Sequence, residues 1–504
     1  MLSFAARRCP SPRLVRSVVH QQGGPMMTTD IALLVMLAAA PPPDTPAALR
    51  PCPAASEQPS GALCGQVSVP ENRAVNGGRQ IALNVVVLPS RSAAGKSDPV
   101  FGLAGGPGFA ATRLALSYPR LYDLLQNDHD IVLVDQRGTG ASNPLFCSNA
   151  DPEQSPARVL SEWPDDAALT QCRDRLAKIA DLKQYTTSAA VDDLDAVRQA
   201  LGYSRINLLG VSYGTRVALE YLRRYPARVR AAALNGVFPP AYRAGLNGPR
   251  ESQQALQKLF SLCAADSTCS GAFPKLAADY ATARAALDKA PANAAIPLPD
   301  GQMLNATLSR SVFVRELGIL LMFREDLMAL PLVIHAAAGG DFMPFAALAL
   351  SRELSRNPQA DGLMLSVQCA SDPQGLSAAA VTAATRDTFA GDARARFLKR
   401  ACAIWPRGTE PPALASPVRS ETPVLLISGA LDPVTPPPHA EEVVKLLPRG
   451  LQVVVANVGH VPANPCVHGM IAGFLKTGTA KGLDTGCAAA FPALKFATAM
   501  PKVQ

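Results

Sequence analysis

Apolar and polar positions alternate in two distinct rhythms along the chain. Short runs of β-branched and aliphatic residues with glycine-rich exits occur at 80–90 (QIALNVVVLPS), 99–108 (PVFGLAGGPG) and 130–142 (DIVLVDQRGTGAS). Such runs predict strands that end in loops. A helical spacing then takes over at 190–203 (AVDDLDAVRQALGY), INLLG follows as a strand, TRVALEYLRRYP reads as a helix, and VRAAALNGVFPP (229–240) returns to a strand. Strand, helix, strand, helix, strand is the order of a mostly parallel sheet covered by helices, an α/β architecture.

From 241 to 418 the texture changes. ESQQALQKLFSLCAADS, FPKLAADYATARAALDKA and SVFVRELGILLMFREDLMALPLVIHAAA carry apolar residues at helical spacing, and few strand-like runs interrupt them. This span is expected to be a mainly helical insertion, its Met and Leu stripes serving as core. The α/β rhythm resumes with TPVLLISGALDPVTPP (422–437), a helix near 439–447, LQVVVANVGH (451–460) and a last helix near 467–475. The expected organisation is a leader over 1–50, a first core part over 51–240, a helical cap over 241–418 and a closing core part over 419–504.

The serine in INLLGVSYGTRV carries the first chemical signal. Gly210 and Gly214 stand two positions either side of Ser212, between a predicted strand and a predicted helix. A nucleophile elbow needs small residues there, because strand and helix backbones nearly touch across the turn. A bare Gly-x-Ser-x-Gly is weak, since glycine-rich turns produce it readily; the strand before and the helix after are what strengthen it. A serine hydroxyl also needs a base to take its proton and a carboxylate to orient that base. Asp432 follows the strand VLLISG, and His460 ends VVVANVGH, giving the order Ser, acid, His expected of this fold. The competing role for Asp432 is an Asx turn before Pro433. Of the six histidines, only His460 has both the right order and a strand end; an ordinary surface or core histidine is its alternative.

An oxyanion hole needs two backbone N–H groups aimed at the developing charge. One is expected from Tyr213, the residue after the serine, and the other from Gly105 and Gly106 in AGGPG, where a plain tight turn is the alternative. Asp135 and Arg137 are expected either to pair structurally beneath the active-site loops or to contact substrate, and they are left out of the catalytic set.

Composition narrows the class. Of 504 residues, 48% are hydrophobic and 17% charged, as in a packed globular protein. No run reaches the roughly 18–20 apolar residues that cross a bilayer, so stable membrane insertion is not expected. The net charge is +8, and residues 1–50 hold five Arg against two Asp. No basic block with interleaved aromatics is present, so a nucleic-acid partner is not expected either.

Arg7, Arg8, Arg13 and Arg16 precede IALLVMLAAA (31–40) and a Pro-rich stretch, which reads as a signal segment directing export to the periplasm or outside. The basic part is long and Asp30 intrudes, as a start at Met26 or Met27 would explain; a leader without export role is the alternative. Eleven Cys are present. Without Cys9 the rest fall as sequential neighbours: Cys52 with Cys64, Cys147 with Cys172, Cys263 with Cys269, Cys369 with Cys402, and Cys466 with Cys487. Connectivity is not deducible from sequence, but neighbour pairing is the simplest guess and fits an exported protein. Free buried thiols are the alternative; metal-ligand spacings are absent, and neither metal nor cofactor is expected.

Taken together, LAGGPG, VDQRGTGAS, DDLDAVRQALGYSRINLLGVSYGT, YLRRYPARVRAAALNGVFPP and GALDPVTPP with VGH resemble the proline iminopeptidase and tripeptidyl aminopeptidase family of α/β-hydrolases. The part from TPVLLISG to the trailing Cys466 and GTAKGLDTGC is similar to the C-terminal module of the secreted, tripeptidyl-aminopeptidase branch. The resemblance implies cleavage of short peptides from a free N-terminus, often at proline or a small apolar residue, beneath a helical cap that shapes the pocket. Cytoplasmic iminopeptidases have histidine before GGPG where this chain has Ala104, which points to the secreted branch. Relatives carry a glutamate in the cap that can hold the substrate ammonium group; here Ser371 takes that place, with Asp372 beside it, either pairing with an amine or capping a turn before Pro373. The expected substrate is a peptide; a small ester hydrolysed by the same triad is the alternative, and a non-catalytic binding protein a further one. Oligomeric state is not legible.

Overall fold

Among the described residues nine strands line up in one sheet, and their carboxyl edge carries the serine, the acid and the histidine. The structure, a computed structural model, describes residues 48–54, 56–92, 97–147, 160–298, 300–371 and 376–499. Nearly all of the leader and Asp372 lie outside these residues. In chain order the strands are β1 (Arg50–Pro51), β2 (Leu63–Pro70), β3 (Gln80–Leu88), β4 (Ser97–Leu103), β5 (His129–Val134), β6 (Ile206–Val211), β7 (Val229–Asn235), β8 (Ala292–Pro297), β9 (Met303–Leu308), β10 (Val424–Gly429) and β11 (Gly450–Val455).

The large sheet runs β1-β2-β3-β5-β4-β6-β7-β10-β11. β1, β2 and β3 join it antiparallel, and every pairing from β5 to β11 is parallel. Burial accounts for the sequence texture: β5, β6 and β10 are buried at every position. A parallel strand covered on both faces must be apolar throughout rather than alternating. One face packs Val132, Leu208, Leu234 and Leu426 under helices Thr187–Ala200 and Tyr213–Arg224. The other packs Leu133, Leu209, Ala233 and Ile427 under helix Pro465–Thr477. The fold is that of an α/β-hydrolase.

Between β7 and β10 the chain is mostly helical and builds a core of its own around Leu259, Phe313, Leu330 and Phe345. Phe313 and Phe345 are fully buried with ring centroids 4.4 Å apart. The span also holds the antiparallel hairpin β8–β9, a strand pair that the mainly helical expectation did not locate. Its residues, ANAAIP and MLNATL, alternate buried and exposed. That period-2 signal is muted in the sequence because alanine fills two of the buried places, Ala294 and Ala306.

Among the described residues five disulfides join the sequential neighbours: Cys52–Cys64, Cys147–Cys172, Cys263–Cys269, Cys369–Cys402 and Cys466–Cys487. Among the described residues no helix is long and apolar enough to cross a membrane.

Candidate active site

β6 ends at Val211, and the helix Tyr213–Arg224 begins immediately after Ser212. The turn is possible only because Ser212 takes φ 54° and ψ −124°, a conformation that costs a non-glycine residue on the order of 1–3 kcal/mol. Neighbouring contacts hold it there. The Ser212 amide donates to the Asn235 carbonyl at 2.9 Å, extending the β6–β7 ladder. Its carbonyl accepts from the Thr215 amide at 2.8 Å and the Thr215 hydroxyl at 2.7 Å. The flanking glycines are required by space. A Cβ on Gly210 would lie 2.8 Å from the Gly214 carbonyl oxygen, and one on Gly214 only 2.2 Å from the Leu103 carbonyl oxygen.

Asp432 sits in the turn after β10 with its side chain fully buried. The two roles weighed for it coexist on separate oxygens. Oδ1 accepts from the amides of Val434 at 2.8 Å and Thr435 at 2.9 Å, closing an Asx turn. Oδ2 faces His460 Nδ1 at 2.8 Å and accepts from the Thr435 hydroxyl at 2.6 Å. Burial alone would raise this carboxyl; the facing imidazole and the Thr435 hydroxyl and amide outweigh it and hold it below the usual carboxylate range.

His460 follows β11, and its amide donates to the Met322 carbonyl at 2.8 Å. Its Nε2 lies 2.9 Å from Ser212 Oγ. The proton's place follows from the partners. Asp432 Oδ2 is ionised and accepts only, and the Thr435 hydroxyl has spent its hydrogen on Asp432, so Nδ1 carries the N–H. Nε2 therefore presents its lone pair to the serine hydroxyl.

Three of the four remaining described histidines are engaged elsewhere. His129 Nδ1 meets the Asp98 carbonyl at 2.9 Å, His335 pairs with Asp279 and His439 with Glu251, while His468 is buried in the helix Pro465–Thr477.

Tyr213 is the first residue of its helix, so its amide has no intrahelical acceptor. Its side chain points away into the core, where the phenol meets the Thr187 hydroxyl at 2.9 Å. Gly105 lies against the serine: a Cβ there would come 2.9 Å from Ser212 Cβ. Gly106 and Gly108 adopt φ 108° and 115°, values open to glycine and costly for other residues.

Asp135 and Arg137 do not pair with each other. Asp135 staples the loops beside the site, accepting from the Thr112 amide and hydroxyl, Asn84 Nδ2 and the Ala141 amide. Arg137 is fully buried and makes a two-pronged pair with Asp193 at 2.6 and 2.7 Å. The substrate-contact alternative for both gives way to scaffolding.

Three contributors had not been expected at the site: Thr435, Met322 and Gln359, whose side chain donates to the Pro107 carbonyl at 2.7 Å. Thr435 was accessible in principle, since Asp-x-x-Thr is the spacing at which an Asx turn returns a hydroxyl to the carboxylate. The other two come from the insertion and carry no local signal.

The line of Ser212, His460 and Asp432 thus stands on an α/β-hydrolase fold. Residues 99–296 match the family described as alpha/beta hydrolase fold, and residues 387–487 match the one described as TAP-like protein. The second match starts well before β10, inside the helical span. Serine protease Hip1 of Mycobacterium tuberculosis is 30% identical over 246 residues, covering 44% of this chain and 46% of that protein. Tripeptidyl aminopeptidase of Streptomyces coelicolor is 30% identical over 205 residues, 38% of each. Proline iminopeptidase of Neisseria gonorrhoeae is 28% identical over 152 residues, covering 30% of this chain and 36% of that one. The chain spans less than half the length of each of these relatives.

Proposed function

We propose that this chain is an exported serine exopeptidase that removes residues from the free N-terminus of short peptides. The observation that carries the reading is the hydrogen-bonded line from Ser212 Oγ through His460 to Asp432 at the carboxyl edge of the sheet. Ser212 Oγ attacks the scissile carbonyl as His460 Nε2 takes its proton. Asp432, already ionised and buried, orients the ring and stabilises the imidazolium that forms. The amides of Tyr213 and of the Gly105–Gly106 turn receive the oxyanion. His460 then passes the proton to the leaving amine, and water, deprotonated by the same ring, releases the acyl group from Ser212.

The names of the relatives support peptides as substrates. Export is supported by the five disulfides, which persist in an oxidising compartment. The helical span 241–418 is read as the cap over this edge, since Met322 and Gln359 reach the site from it.

The test is a panel of peptide anilides with free and acetylated N-termini, together with short nitrophenyl esters, applied to wild type and Ser212→Ala. Turnover of the free peptides alone, lost in the variant, is expected. Equal turnover of acetylated peptides overturns the exopeptidase reading, ester-only activity replaces it with an esterase, and an unaffected variant removes Ser212 from the mechanism.

A further inference from the structure

We propose that Gln359, on the strap leading into the helix Asp361–Ser371, is a positioning residue that fixes the Gly105–Gly106 oxyanion turn. The inference rests on the hydrolytic reading above and adds a role for the insertion beyond shaping a pocket.

The turn after β4 contains Gly105, Gly106 and Gly108 in five residues, the last two at positive φ. A glycine-rich turn has more backbone freedom than any other, and an oxyanion hole performs only if its donors are held before the charge appears. Something outside the turn must therefore restrain it. On one side Gly105 rests on Ser212. On the other, the strap packs directly onto the glycines: a Cβ on Gly106 would lie 3.3 Å from Gln359 Nε2, and one on Gly108 would lie 2.8 Å from the Ala360 carbonyl oxygen.

A backbone bridge and a side-chain bond lock this contact. Gln359 and Phe109 form an antiparallel bridge through the Ala360 amide, which donates to the Gly108 carbonyl at 2.9 Å, and Gln359 Nε2 donates to the Pro107 carbonyl at 2.7 Å. The last is made by a side chain, and it acts on the peptide plane between Pro107 and Gly108, next to Gly106. With its φ fixed by the ring and its carbonyl held by Gln359, Pro107 leaves the adjoining Gly106 peptide less room to turn.

The strap is well founded. Asn357 accepts from Arg113 Nε at 3.0 Å and donates to the Ser117 hydroxyl at 2.9 Å. Gly362 donates to the Leu145 carbonyl at 2.8 Å, and Cys369–Cys402 ties the following helix to the helix Ala393–Ile404. Loss of the Gln359 amide leaves these anchors in place.

The experiment compares wild type with Gln359→Met, which keeps the length without the donor, and Gln359→Ala. The readings are kcat and KM on a free-amine peptide anilide, the affinity of a peptide aldehyde that forms a tetrahedral adduct, and the thermal midpoint. The expectation is a fall in kcat of about 10- to 100-fold, matched by the aldehyde affinity, with KM within about twofold of wild type. An unchanged kcat overturns the inference, and so does a rise in KM with kcat intact, which would make Gln359 a substrate contact. A fall in kcat that tracks a lowered thermal midpoint in both variants also overturns it. Labelling of Ser212 by a fluorophosphonate keeps the two readings apart. An unlabelled, inactive wild type sinks the hydrolytic reading, whereas a labelled, active one with indifferent Gln359 variants sinks only this inference.

Discussion

The Thr435 hydroxyl lies 2.6 Å from Asp432 Oδ2 and 3.0 Å from His460 Nδ1, bridging the acid and the base. Its hydrogen goes to the carboxylate and its lone pair faces the ring N–H. Thr435→Val keeps the shape and deletes both contacts. A hydrogen bond to a charged group contributes about 1.5–3 kcal/mol, so kcat is expected to fall on the order of tenfold while KM holds. Thr435→Ser should restore most of the rate, which steady-state kinetics on one peptide anilide will show. A valine variant at full rate would mean Asp432 orients the imidazole unaided.

Gly214 and Gly271 make a matched pair of glycine-to-alanine tests. A Cβ on Gly214 would stand 2.2 Å from the Leu103 carbonyl oxygen, whereas Gly271 has nothing within 4 Å. Backbone cannot yield as a side-chain end can, so Gly214→Ala must part the helix Tyr213–Arg224 from the end of β4. Ser212 and the oxyanion turn ride on those two elements. Loss of stability by about 3 kcal/mol or more and collapse of activity are expected together. Gly271→Ala, in the exposed helix Ser267–Ala272, should gain roughly 0.5–1 kcal/mol. Urea denaturation of both variants provides the check.

Local rules explain why so much of the centre was legible and why its surroundings were not. Ser212 announces itself because strand, elbow and helix are contiguous and the glycines are demanded by distances within that one turn. Asp432 and His460 were found because each follows an apolar strand run in the right order. Cysteine neighbours paired as proximity suggests. Gln359 and Met322 reach the site through a chain path of more than a hundred residues from Ser212, and no periodicity records where a helical insertion folds back. The β8–β9 hairpin was hidden by composition, its buried face being alanine, isoleucine and leucine without a β-branched run. Arg137 and Asp135 were set aside, and their separate partners depend on Asp193 and Thr112, which only the fold brings near.

The disulfides differ in the chain length they close. Cys369–Cys402 has a sequence separation of 33 and Cys263–Cys269 one of 6. In the chain-entropy picture the first contributes about 3–4 kcal/mol and the second about 2 kcal/mol. Paired Cys→Ser variants of Cys369 and Cys402 should therefore unfold at lower denaturant than those of Cys263 and Cys269. The first pair should also slow catalysis, since it anchors the helix that follows Gln359. Equal midpoints for the two double variants would remove loop length as the controlling quantity.

Glu316 makes stability depend on pH, and the sign is fixed by its burial. The residue is 1% exposed on the helix Arg310–Leu320, with Oε1 2.7 Å from Arg315 and Oε2 buried without a partner. Burial pushes its carboxyl up from 4.5 to about 7 against the pull of Arg315, with Glu353 adding to the rise. Between those two values the folded state holds a proton that the unfolded chain has released. The stability contributed by the protonated form is thus fully present below about pH 4.5 and is lost as pH rises through about 7. Glu316→Gln has no charge to bury and should escape that loss. Wild type and variant are expected to match near the acid end of the window, with the variant more stable by about 1–3 kcal/mol above it. Guanidinium unfolding at both ends of the window measures the difference directly. A gap that stays constant with pH would show that Arg315 keeps Glu316 ionised throughout.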